Sequence, residues 1–193
     1  MSAEKPRERP ILFNDQMVRA ILEVRKTVTR RVVKPKQAGR ITGAAGPGMA
    51  AEYLGVDNDG SDCFSLLQCP YGQPGDRLWG REAWAQVKVA QAPGENWVVY
   101  RELDNRTDYG GLWRPSIHMP RWASRILLEI TAVRVERLHD LSDPDVLAEG
   151  CSHSEMQSGD SLVSVLARLW QSTGGDWAAN PWVWVVEFKR VTP

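Results

Sequence analysis

The sequence is poor in the residues that make cross-links and metal sites. Its three cysteines, Cys63, Cys69 and Cys151, are odd in number and lack paired spacing, so neither a disulfide framework nor a structural zinc is expected. The three histidines, His118, His139 and His153, are equally scattered, and no metal and no cofactor are expected. No apolar run is long enough to span a bilayer. The charged N-terminal stretch Met1–Pro10 has no apolar region behind it to act as a secretory signal. A cytoplasmic protein with no membrane partner is the expectation. Gly-rich phosphate loops of either common pattern, a Gly-flanked nucleophilic serine and internal repeats are also missing. Function must therefore come from a less familiar constellation.

Net charge is lacking too: 24 basic side chains balance 24 acidic ones over 193 residues. The zero hides two poles. Met1 to Arg40 carries eleven Lys or Arg against four acids, whereas Glu136 to Asp160 carries seven acids against Arg137 alone. The basic pole suits an anionic ligand such as nucleic acid, and the acidic pole can supply a carboxylate opposite it; simple mutual neutralisation across the fold is the alternative.

What is present reads as one domain, residues 11–193, behind a flexible arm at 1–10, with insertions at about 36–70 and 84–122. Met17, Ile21 and Val24 recur at helical spacing after Asn14-Asp15, both good N-cap types. Thr27 to Val33 is rich in β-branched residues and predicts a strand ended by Pro35. Gln37 to Gly60 holds six glycines without sustained periodicity and reads as a long flexible insertion. Strands are expected at 77–82, 97–101, 125–138 and 182–191. In the third, Ile126, Leu128 and Ile130 share one parity and Val133 and Val135 the other, which predicts a bulge near Thr131-Ala132. Ser142-Asp143-Pro144 opens a short helix ending at Gly150, and Leu162, Val165, Leu166, Leu169 and Trp170 mark an amphipathic one. Six or so strands with three helices fit an α+β fold, a small mixed barrel, better than an open α/β sheet.

The junction of the first helix and strand concentrates polar chemistry. Arg25, Lys26, Thr27, Thr29, Arg30 and Arg31 fall within seven residues with no acid among them. That combination suits phosphate or a polar, nucleotide-like ligand. Tryptophan is abundant: nine Trp outnumber four Tyr and three Phe. Trp170, Trp182 and Trp184 sit on apolar faces and read as core. Trp79, Trp113 and Trp122 lie beside Arg77, Arg114 and Arg121 in or near loops, an arrangement suited to stacking a base while guanidinium groups hold phosphate, with Arg81 and Arg114 as binding candidates; core packing is the alternative for each ring.

The run Leu22-Glu23-Val24-Arg25-Lys26-Thr27-Val28-Thr29-Arg30-Arg31 resembles the signature of ASCH domains, members of the PUA-like superfamily. Three further stretches agree in order: the Gly75-Asp76 turn into a strand, Leu141-Ser142 leading to Ala148-Glu149-Gly150, and the terminal Val185-Val186-Glu187-Phe188. The chain is most similar to the longer, tryptophan-rich ASCH proteins of phages and prophages. The resemblance implies a small PUA-like β-barrel flanked by about three helices, with a cleft for RNA, nucleotides or modified nucleosides. In N4-acetylcytidine amidohydrolases, the ASCH enzymes this pattern resembles, the active residues are a lysine, a threonine and a glutamate, which fall on Lys26, Thr29 and Glu149. The family commonly has glycine before the Arg-Lys-Thr run; here Val24 stands there. The resemblance thus implies a hydrolase, an amidohydrolase removing an acyl group from cytidine N4. The alternatives are a non-catalytic RNA-binding module in which Arg25, Lys26, Arg30 and Arg31 hold phosphates, and, less favoured, a ribonuclease, for which the chain offers no convincing metal-binding carboxylate set.

Overall fold

The structure is a computed structural model that describes residues 6–34, 39–45, 50–56, 60–88, 96–103 and 112–191. Its centre is a five-stranded sheet. β1 (Glu8–Leu12) runs parallel to β6 (Arg77–Arg81), followed across the sheet by the antiparallel strands β9 (Leu127–Arg137), β10 (Trp182–Val191) and β2 (Val28–Val32). A meander of β3 (Gly39–Ala45), β4 (Ala50–Val56) and β5 (Asp62–Gln68) and a hairpin of β7 (Trp84–Lys88) and β8 (Asn96–Tyr100) complete the strands. The helices are α1 (Asp15–Leu22), α2 (Asp143–Ala148) and α3 (Leu162–Ser172), with three single 3-10 turns between elements.

The strand β10 organises the core because both of its faces are apolar and buried. Trp184, Val186 and Phe188 join Ile11, Phe13, Ile21, Leu78, Ile130 and Val133 on one face. Val183 and Val185 meet Val28 and Leu138 on the other, where Ala148, Trp170 and Trp177 pack against them. A third cluster joins Val146 of α2 to Leu162, Val165, Leu166 and Leu169 of α3. The apolar stripe predicted for α3 is therefore the stripe that docks it. At about 1.5–3 kcal/mol for each fully buried large aliphatic side chain, these contacts are the main force holding the helices to the sheet.

The parity change in β9 is resolved as predicted. Phe188 pairs with Ile130 and Glu187 with Ala132, so Thr131 is the extra residue of a bulge. The bulge leaves Thr131 exposed while Ile130 and Val133 both reach the core.

Other expectations are corrected. The described residues form ten strands rather than six or so, and among them the main sheet ends at β1 and β2, so it is not closed into a barrel. The mixed α+β class stands; the curl at Thr131 does not bring the two edges together. The Gly-rich segment, expected to be a flexible insertion, supplies the whole of β3 and β4, with Ala51 fully buried and Ile41 against the main core. Its glycines and alanines carry too little side chain to show an alternation, so only the pairing reveals the strands. β1 begins at Glu8, inside the stretch expected to be an arm, because it pairs with β6 from Glu8↔Arg77 to Leu12↔Arg81. Residues 1–5 of that arm lie outside the described residues. No helix among the described residues is long and apolar enough to cross a membrane.

Candidate functional site

The site forms where the C-terminal ends of α1 and α2 meet. Asn14 caps α1 by accepting from the Met17 N–H at 2.8 Å. At the other end the Val24 N–H donates to Ile21 O at 3.1 Å and the Arg25 N–H to Ala20 O at 2.8 Å. This is a Schellman closure, and it puts Val24 at φ 60°, the left-handed position usually given to glycine. The glycine-type turn is thus made with a β-branched residue.

The short helix α2 is built by Ser142 and Asp145, which cap each other's backbone N–H groups. It ends on Gly150 at φ 92°. A Cβ there would stand 2.7 Å from the Ala20 Cβ and 3.0 Å from the Lys26 Cβ, so only glycine lets the two helix ends approach this closely. The Thr27 N–H then donates to Ala148 O at 2.8 Å, and the Phe188 N–H to Thr27 O at 2.8 Å. The chain is thereby pinned from α2 across to β10, and β2 starts at a fixed height.

These constraints join Lys26 to Glu149 across 123 residues of sequence. The Lys26 Nζ donates to the Glu149 Oε2 and, at 2.9 Å, to the Glu149 carbonyl oxygen. The Lys26 side chain has no exposed surface, and burial pulls its pKa below the usual lysine value; Glu149 opposes that shift and the Arg31 charge adds to it.

Glu149 is held from its other oxygen by Arg30, whose Nη1 donates to Oε1 at 3.2 Å. The Arg30 Nη2 reaches Glu136 at 2.9 Å and Asp145 at 3.0 Å, and Arg134 bridges Glu136, Asp145 and Glu187. Arg30, 5 % exposed, is thus consumed by three carboxylates of the acidic pole. Burial works against the Asp145 anion, but the Ser142 hydrogen bonds and Arg30 hold its pKa below the usual carboxylate value. Cys151, at the edge of this cluster, is pushed up to about 11 by burial and by Glu155 and Glu149, so it is a neutral thiol and no nucleophile.

Glu149 and Thr29 line one cavity of about 400 Å3, a volume in the range of small-molecule sites. Phe13, Met17, Leu166, Leu169 and Trp170 give it apolar walls, while Asn14, Arg31, Arg101 and Ser116 add polar ones. Asp15 and Arg101, paired at 2.7 Å, also line it. The Thr29 side chain makes no hydrogen bond among the described residues, which leaves its hydroxyl for a ligand. Lys26 does not line the cavity; it reaches it through Glu149.

The remaining sequence candidates are placed elsewhere. Arg25 pairs with Glu23 and donates to Gly150 O, and Thr27 is exposed with its backbone engaged. Arg31 lines the cavity, donating to Leu12 O at 2.6 Å and lying 5.8 Å from the Phe13 ring centroid. Arg81 lies over Trp79 at 5.4 Å, and Arg114 over the buried Trp84 at 5.0 Å. Trp122 is 64 % exposed and meets Trp84 edge-on. Trp79, Trp113 and Trp122 do not line the cavity. Trp170 does, in addition to packing against the Val183 and Val185 cluster as its apolar helix face predicted; Asn14 and Arg101 were not singled out as site residues, since a helix cap and a residue just past a strand carry no chemical signal. Among the described residues no group of three or more His, Cys, Asp or Glu is placed to hold a metal ion.

The arrangement offers one free hydroxyl, one carboxylate fixed on both oxygens, and behind it a buried amine with a lowered pKa. That set can attack an acyl carbon and shuttle a proton. Comparisons of the chain with protein-family models, with curated proteins and with solved structures return no match.

Proposed function

We propose that the chain is an ASCH-type, PUA-like protein that recognises RNA or a modified nucleoside and removes the acyl group from N4-acylated cytidine. The observation that carries this reading is that Thr29 and Glu149, the latter held by Lys26, line the same cavity. The Thr29 Oγ1 attacks the acyl carbon, and its proton passes to the Glu149–Lys26 pair. The pair returns a proton to N4 as the C–N bond breaks, releasing cytidine and leaving an acyl ester on Thr29. Water, giving a proton to the same pair, attacks that ester; as the C–O bond breaks the pair passes the proton to the Thr29 Oγ1, which releases the carboxylic acid and restores the hydroxyl. Arg31 is the cation available for the oxyanion, and the aromatic wall of Phe13 and Trp170 suits a base.

A purely phosphate-holding role for the basic run fits less well, because Lys26 and Arg30 spend their charges on Glu149, Glu136 and Asp145. Incubation with N4-acetylcytidine, with acetate release followed in wild type and Thr29→Ala, tests the reading.

A further inference from the structure

A second cavity of about 710 Å3 adjoins the first, and Arg30, Arg31, Trp170 and Thr173 line both. Because Arg30 is held by three carboxylates, Arg31 and Lys34 set the charge of the second cavity, against Asp176 alone. Lys34 is exposed and has no ion-pair partner among the described residues. The walls also carry three aromatic side chains, Tyr71, Trp170 and Trp184. Cations beside aromatic faces are the combination that holds single-stranded nucleic acid, guanidinium and ammonium groups on phosphates and rings under bases. An acidic peptide would use the charges and leave the rings idle.

The strand β2 and the two residues after it run from one cavity to the other. Thr29 lines the first cavity, Arg31 both, and Lys34 the second. At about 3.3 Å per residue, Thr29 and Lys34 are about 16 Å apart along the chain, with Arg31 between them. The two volumes are thus a base-sized compartment and a larger one joined at an arginine.

We infer that the second cavity takes the neighbouring nucleotide of a single-stranded RNA whose acylated cytidine occupies the first, Arg31 and Lys34 holding phosphates and Tyr71 facing the adjacent base. The inference rests on the functional reading above and narrows its substrate from a free nucleoside to a strand.

Equilibrium binding of cytidine, cytidine 5′-monophosphate, a single-stranded RNA hexamer containing one cytidine, and an acidic hexapeptide tests it. The hexamer binds at least about tenfold more tightly than cytidine, the monophosphate falls between them, and the peptide does not bind. With two phosphates held, log affinity for the hexamer falls against log salt with a slope of about −1.4, and Lys34→Gln, at an exposed side chain, reduces that slope by about 0.7. Arg31→Lys, which keeps charge but loses the fork, weakens the monophosphate as well as the hexamer. Equal affinity for cytidine and hexamer overturns the inference and leaves the nucleoside reading standing. Binding of none of the nucleic-acid probes overturns both. Hexamer binding unaffected by Lys34→Gln and Arg31→Lys, or matched by the peptide, places the contact elsewhere and also overturns it.

Discussion

Lys26 and Glu149 are joined twice, the ammonium donating to the glutamate carboxylate and, at 2.9 Å, to the carbonyl oxygen of the same residue. The first bond fixes the carboxylate and the second fixes the end of α2, so the pair is the clasp between two helix ends and, in the proposed reaction, the proton relay. Arg30 on the other carboxylate oxygen leaves Glu149 little rotational freedom.

Removing one partner of a buried pair leaves an uncompensated charge. Glu149→Ala is expected to destabilise the fold by about 3–5 kcal/mol in urea unfolding. The double variant Lys26→Met, Glu149→Gln is expected to be more stable than Glu149→Gln alone, because the second change removes the stranded amine. A double variant less stable than the single one would show that the pair's charges are not buried together.

The pH dependence follows from two opposite cases. The folded pKa of Lys26 lies below its unfolded value of 10.5, so between the two the unfolded chain holds more protons. Its contribution is fully present above 10.5 and is lost as pH falls through the lowered folded value; Lys26→Met flattens that limb. Asp145 is also lowered, from 3.8, so its contribution is present above 3.8 and lost as pH falls through the folded value; Asp145→Asn removes that acid limb. Denaturant midpoints measured from pH 2 to 11 check both.

Val24 holds a left-handed backbone at 70 % exposure, so it has strain to lose and little packing. Val24→Gly is expected to stabilise by about 1 kcal/mol, read as a rise in thermal midpoint. Gly150→Ala is the converse: strain at φ 92° and contact with Ala20 and Lys26 predict a loss of about 2–4 kcal/mol.

The contrast between these two positions shows what the chain discloses about itself. Local signals were legible: the Asn14 cap, the Ser142 helix start, the α3 stripe and the parity change that becomes the Thr131 bulge all lie within a few residues of their cause. Arg30 was not. It reads as part of a basic run because its three acceptors lie 106 to 119 residues away. Strands β3 and β4 were hidden because Gly39, Gly43, Ala44, Ala51 and Gly55 give no alternation to count, and they are visible only through their partners. Trp170 was half legible: it packs against the Val183 and Val185 cluster as its apolar helix face predicted, and periodicity gave no sign that its other side borders a cavity.

The assignment of Lys26, Thr29 and Glu149 to one reaction is tested most directly by acetate release from N4-acetylcytidine. Wild-type protein is predicted to release acetate and cytidine in equal amounts, with Thr29→Ala slowed about a thousandfold or more and Lys34→Gln still able to turn over the free nucleoside. No acetate from the wild type, or undiminished release by Thr29→Ala, would contradict the account.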